Sequence, residues 1–187
     1  MLGEHVLYSL AVAIIFGTLY ERKYGYALPI WIIVACAWAP DADYIIQHIC
    51  FTYCYNSRFF IEHGDFHNLF IMLLFAFVAA YLFEKYKNYD FKNTFLCVMV
   101  GLTTHMLCDY LVYPSTVYPL SRLFPSIKLT YVNVIPEMGS WHGIGEPRLF
   151  VGGFILVLLA LIVNFIYSES KWITTRQRIN AQDMDAE

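Results

Sequence analysis

The chain is poor in charge. Only 14% of its 187 residues are Asp, Glu, Lys or Arg, and the formal net charge is -3. A balance so small, with no Lys/Arg-rich run, argues against nucleic acid as a partner. No C-x-x-C pair occurs among Cys36, Cys50, Cys54, Cys97 and Cys108, which disfavours a thiolate zinc site. Most of these cysteines sit in apolar context and read as small buried hydrophobes. Cys50 and Cys54 are near enough in sequence for a disulfide close to a membrane surface. The N-terminus does not read as a cleavable leader: Glu4, not Lys or Arg, precedes the first apolar stretch, and Arg22 and Lys23 follow it. The first segment is therefore expected to be retained. There is no internal repeat.

What the chain has in abundance is apolar surface. Hydrophobic residues make up 59% of it, a balance that fits a multi-spanning membrane protein better than a water-soluble domain. Five segments stand out, over residues 6–20, 27–50, 67–83, 93–113 and 149–167. A bilayer core takes about 20 helical residues, so the first and third are short. Short spans suit helices that open into a polar cavity at one end. Pro40 interrupts the second segment, because it donates no backbone hydrogen bond and turns Ala39 away from helical geometry. The expected fold is all-α, a polytopic membrane bundle of about five transmembrane helices with a kinked second helix. Residues 1–167 form its single domain. Residues 114–148, rich in Pro and aromatic side chains, form a loop capping the outer face, and residues 168–187 form a charged, frayed cytoplasmic tail.

Charge asymmetry orients this bundle. Arg22, Lys23, Lys85, Lys87, Lys92, Lys171, Arg176 and Arg178 fall on one side, against Arg58, Arg122, Lys128 and Arg148 on the other. The positive-inside rule puts the first group in the cytoplasm and the N-terminus outside. Seven ionisable residues then fall at one level near the outer face: His5, Asp41, Asp43, His63, His67, His105 and Asp109. Such groups are costly in hydrocarbon, so their gathering points to a bound cation.

Spacing sharpens this. His63 and His67, and likewise His105 and Asp109, are four apart and share a helix face. One catalytic zinc typically takes about three protein ligands. Seven candidates exceed that, which favours two ions bridged by an aspartate. Nitrogen and carboxylate donors fit zinc, manganese or iron and do not choose among them. Three aspartates against two divalent ions leave the cluster at about +1, suited to a phosphate ester. Asp41, Asp43 and Asp109 are the candidate catalytic carboxylates. Other readings exist for each part. Pro40-Asp41-Ala42-Asp43 could be a capped helix end, His63 and His67 could be interfacial loop residues, and His105 with Asp109 could be a neutralising pair. His48 and His142 read as interfacial. Glu62 or Glu146 could serve as a general base.

His5-Val6-Leu7-Tyr8-Ser9, Pro40-Asp41-Ala42-Asp43, His63-Gly64-Asp65-Phe66-His67-Asn68 and Gly101 through Asp109 follow one another in this order. The order resembles that of the LexA-binding, inner-membrane-associated hydrolases (YdjM-like), over roughly residues 1 to 125. That family's pattern is in turn similar to zinc-dependent phospholipase C. The resemblance implies metal-dependent hydrolysis of a phosphate ester, with His5, Asp41, Asp43, His67, His105 and Asp109 at the metal site. The third motif departs from the family's, with Gly64 and Phe66 in place of Arg and Thr and a shorter His63–His67 spacing. The expected activity is metal-dependent hydrolysis of a lipid or other amphiphilic phosphate ester. A non-enzymatic metal-binding or metal-transport protein is the alternative, and peptide or amide hydrolysis at the same ions is a third.

Overall fold

The computed structural model describes residues 2–43, 46, 66–112 and 147–184. Among the described residues the fold is all helical and contains five α-helices: α1 (Leu2–Tyr24), α2 (Trp31–Cys36), α3 (Leu69–Lys87), α4 (Phe91–Val112) and α5 (Pro147–Met184). His63, His48, His142, Glu62, Glu146, Cys50, Cys54 and the loop residues 113–146 lie outside the described residues.

The helix ends follow local chemistry. α1 carries Glu4 in its first turn and Arg22 and Lys23 in its last, matching the helix dipole at both ends. Gly25, at φ +81°, closes it by donating its N–H to the Glu21 carbonyl at 2.8 Å. Asn68 caps α3, accepting the Ile71 N–H at 3.0 Å. Asn88, in the left-handed region at φ 55°, ends it. Asp90 opens α4 by accepting the Asn93 N–H at 2.8 Å. α5 starts on Pro147, whose missing N–H costs nothing at a helix N-terminus.

Three of these helices are long and apolar enough to cross a membrane: Gly3–Tyr24 within α1, Leu69–Lys87, and Leu149–Lys171 within α5. Their outer faces carry exposed Leu74, Phe77, Phe165 and Ile166. Water would penalise so large an apolar surface, whereas lipid tails accept it. α4 is as long, but Asn93, Thr94, Thr103, Thr104, His105 and Asp109 lower its apolarity. It is the central element, packed by α1, α2 and α3. The core lies around it, in Ile32, Ile33, Met72, Ala76, Cys97, Val98 and Leu102.

The second apolar segment is broken where Pro40 predicted. α2 stops after six residues at Cys36, and helical backbone resumes at Ala42–Asp43. Pro40 offers no N–H to the Cys36 carbonyl four residues back, so that carbonyl takes the Ala39 N–H instead at 3.1 Å. The tightened turn frees the next carbonyl, Ala37. α5 departs from expectation in the other direction. Residues 168–184, expected to fray, continue its helix to Met184. No Gly or Pro follows Gly153 to interrupt it. At 1.5 Å per residue its 38 residues span about 57 Å, well beyond a core of about 30 Å.

α1 and α5 run parallel. Tyr8 donates to the Leu149 carbonyl at 3.2 Å, Asn164 donates to Thr18 at 2.7 Å, and Lys171 pairs with Glu21 at 2.9 Å. Gly153 permits this approach, since a Cβ there would lie 3.0 Å from the Leu7 Cβ. The starts of α1, α3 and α5 therefore share one end of the bundle with the finish of α2 and α4. All the candidate ligands within the described residues belong to that end.

Candidate metal centre

Each part of the cluster arrives by a separate local device. His5 sits in the first turns of α1. Asp41 and Asp43 belong to the Pro40 turn. His67 immediately precedes the Asn68 cap, so the cap fixes where the chain enters α3. His105 and Asp109 are one turn apart near the end of α4. His105 and Asp43 are fully buried, and His5 and His67 are nearly so. Asp41 is the most accessible of the three carboxylates, its side chain being 24% exposed.

His105 is the hub. Its Nδ1–H donates to the freed Ala37 carbonyl at 2.6 Å. That bond selects the tautomer and leaves Nε2 with a bare lone pair. Nε2 of His105, Nε2 of His67 and Oδ2 of Asp109 then form a triangle with three edges of 3.1 Å. Asp41 Oδ1 approaches the same two nitrogens, at 3.5 Å from His105 and 3.7 Å from His67. The other Asp109 oxygen, Oδ1, accepts from His5 Nε2 at 2.9 Å. The His5 ring also stacks on His105, with centroids 4.3 Å apart.

Two overlapping donor groups result: His5, His105 and Asp109, and Asp41, His67 and His105. Asp43 stands behind them. Its Oδ2 accepts the Phe66 N–H at 3.1 Å and lies 3.6 Å from His67 Nδ1. It is thus placed to orient the His67 ring from the side away from the cluster, as carboxylates behind metal-bound histidines do. The structure brings His5, Asp41, His67, His105 and Asp109 together, sets Asp43 one step back, and does not describe His63. Sequence reasoning missed the Ala37 carbonyl. The break at Pro40 was the signal that could have found it. It also passed over Glu4, which is buried at this end, only 3% exposed.

The donors fit a divalent cation. A neutral imidazole carries one N–H, and that of His105 is committed to Ala37. Its other nitrogen faces the Asp109 carboxylate at 3.1 Å, so two lone pairs oppose each other unless a proton or a cation lies between them. Asp109 Oδ2 and Asp41 Oδ1 converge on the His67–His105 pair, so four potential ligand atoms gather there. Tetrahedral zinc with ligands at 2.0–2.1 Å sets donor–donor edges of about 3.3–3.4 Å, close to the 3.1 Å observed.

No curated protein and no solved structure matches the chain. Its long apolar helices agree with a family match. The model described as YdjM inner membrane protein covers residues 1–173, and the chain belongs to that family.

Proposed function

We propose that this protein is a membrane-embedded, metal-dependent hydrolase that cleaves a phosphate ester of an amphiphilic substrate. The convergence of His67 Nε2, His105 Nε2 and Asp109 Oδ2 on a triangle with 3.1 Å edges, buried among apolar helices, supports the proposal. His67, His105, Asp109 and Asp41 would hold one ion. His5 and the second oxygen of Asp109 would help to hold a second. The nitrogen and carboxylate donors suit zinc, and manganese or iron use the same set. Bound divalent ions lower the pKa of water toward neutrality and offset charge on phosphate oxygens.

The chain's own groups do the rest. Ala37 and Asp43 hold the two central imidazoles in orientation, so the donors are arranged before substrate arrives. Asp41, the most accessible carboxylate, is placed to take a proton from the attacking water. Apolar helices on either side limit competing solvent. Arg22 and Lys23 end α1, Lys85 and Lys87 end α3, and Lys171 lies far along α5, all away from the cluster. Under the positive-inside rule this supports a cluster opening toward the outer face.

Elemental measurement on purified protein, followed by a screen of phosphate esters and phospholipids, tests the proposal. The expected result is one or two divalent ions per chain and turnover that His105→Ala and Asp109→Ala both abolish together with the metal. Full metal content retained in both variants would sink it.

A further inference from the structure

Next to the cluster, between the Pro40 turn, α3 and α4, lies a cleft of about 500 Å³. This falls within the range of roughly 300–1,000 Å³ usual for small-molecule sites. Every residue lining it is apolar. At one end its walls alternate in sequence with the metal ligands. Pro40 and Ala42 flank Asp41, Phe66 precedes His67, and Leu102 lies one turn before His105 on α4. At the other end it follows Leu74 and Val78 down α3, where both side chains are exposed on the apolar face. From the start of α3 to Val78 the helix descends about 13 Å, nearly half of a bilayer core of about 30 Å.

We propose that this cleft receives one acyl chain of the substrate, which makes the substrate a membrane lipid whose phosphate sits at Asp41 while its tail lies along α3. The inference rests on the phosphate-ester reading of the cluster and narrows it from amphiphiles in general to lipids that stay in the bilayer. Three observations converge on that occupant. Among the described residues the cleft has no polar wall, so they offer nothing to a sugar, a nucleotide or a peptide backbone. It runs along the exposed apolar face of α3, which lies against lipid in a membrane protein. Its Pro40, Ala42 and Phe66 end adjoins Asp41 and His67 in the chain, so an acyl chain seated in it would carry its headgroup toward them. A lipid would enter sideways from the bilayer with its tail never exposed to water.

The test uses non-hydrolysable probes, so that binding is read apart from turnover. Ethylphosphonate and dodecylphosphonate are titrated into metal-loaded protein held in amphipol. Wild-type protein should bind the dodecyl compound about tenfold or more tightly, because each methylene added to the cleft leaves water. Val78→Trp, which fills the cleft, should abolish that preference while metal content and ethylphosphonate affinity stay unchanged. Leu82→Trp, one turn further along the same exposed side of α3, should keep the preference. If Val78→Trp loses metal through misfolding, Leu74→Trp provides the same reading. Equal affinity for the two probes in wild-type protein, or an undiminished preference in both filled variants, overturns the cleft. Chain-dependent binding without turnover of any phosphate ester upholds the cleft and removes the hydrolase. Turnover of short esters with no chain preference does the reverse.

Discussion

The two ends of this bundle treat polar groups in opposite ways. At the end holding the finish of α1, hydroxyl and amide side chains pair along and across the helices, although Thr94 Oγ1 is buried without a hydrogen-bond partner. Thr18 donates to the Ile14 carbonyl at 2.8 Å and accepts from Asn164 at 2.7 Å. Tyr20 donates to Asn93 at 3.0 Å and shares a hydrogen bond with Tyr26 at 2.9 Å. Lys171 and Glu21 pair in the open, with 57% and 33% of their side chains exposed. At the other end, imidazoles and carboxylates are buried against one another, at separations from 2.9 to 3.7 Å. The first arrangement joins helices. The second concentrates ionisable groups, which inside a membrane bundle marks a candidate binding centre and not ordinary packing.

Removing Asp109 breaks the contrast most severely. Both its oxygens are engaged, one by His5 and the other by His67 and His105. Asp109→Ala should lower metal affinity by more than the roughly 100-fold seen when only a supporting partner is lost. Plasma mass spectrometry of purified protein reads this directly. The same variant should also erase the thermal destabilisation that a chelator causes in wild-type protein, since stabilisation by a ligand follows its occupancy.

Gly101 comes next. A Cβ there would lie 2.3 Å from the Ile33 carbonyl and 3.2 Å from the Cys36 Cβ. Backbone cannot swing aside as a side chain can, so Gly101→Val must push α2 away from α4. Overpacking of this kind costs roughly 1–3 kcal/mol. It would also carry the Ala37 carbonyl away from His105, so melting temperature and metal content should fall together. A fall in stability with unchanged metal binding would show that the Ala37 contact does not position His105.

These two residues show what was legible in the sequence. Asp109 was, because an acid four residues from a histidine in an apolar run is conspicuous for its cost. Pro40 was, because a missing N–H inside an apolar run interrupts the helix there. Gly101 and the Ala37 carbonyl were not. Neither is a titratable side chain, and their roles exist only once α2 lies against α4. The continuation of α5 to Met184 was not foreseen either. Charge alone suggested fraying, while the lack of Gly and Pro, which allows the helix, received no weight. Asp41 and Asp43 were indistinguishable in sequence. The turn after Pro40 separates them, directing one toward the donors and the other behind His67.

Asp43→Asn sharpens that separation. Asn keeps the size and can still accept from the Phe66 N–H, but it no longer places a negative charge behind His67. Metal affinity should fall about 10- to 100-fold with the helical content intact, less than for Asp109→Ala. Competition against a chelator of known affinity measures both on one scale. An effect as large as that of Asp109→Ala would make Asp43 a ligand and not a positioning residue.

The smallest effect is expected at the opposite end. Asn164→Leu removes the donor to Thr18 between two parallel helices. Interhelical hydrogen bonds inside membranes average only about 0.6 kcal/mol, because the separated helices find other partners. Thr18 keeps its bond to the Ile14 carbonyl in any case, so little is stranded. The melting temperature should drop slightly, by the same amount with and without chelator, and metal content should not move. A chelator-dependent shift would mean that the α1–α5 seam transmits strain to His5, in the first turns of the same helix. The two ends would then be one coupled system, and the ionisable cluster at the His105 end could no longer be treated apart from the helix seam at the other.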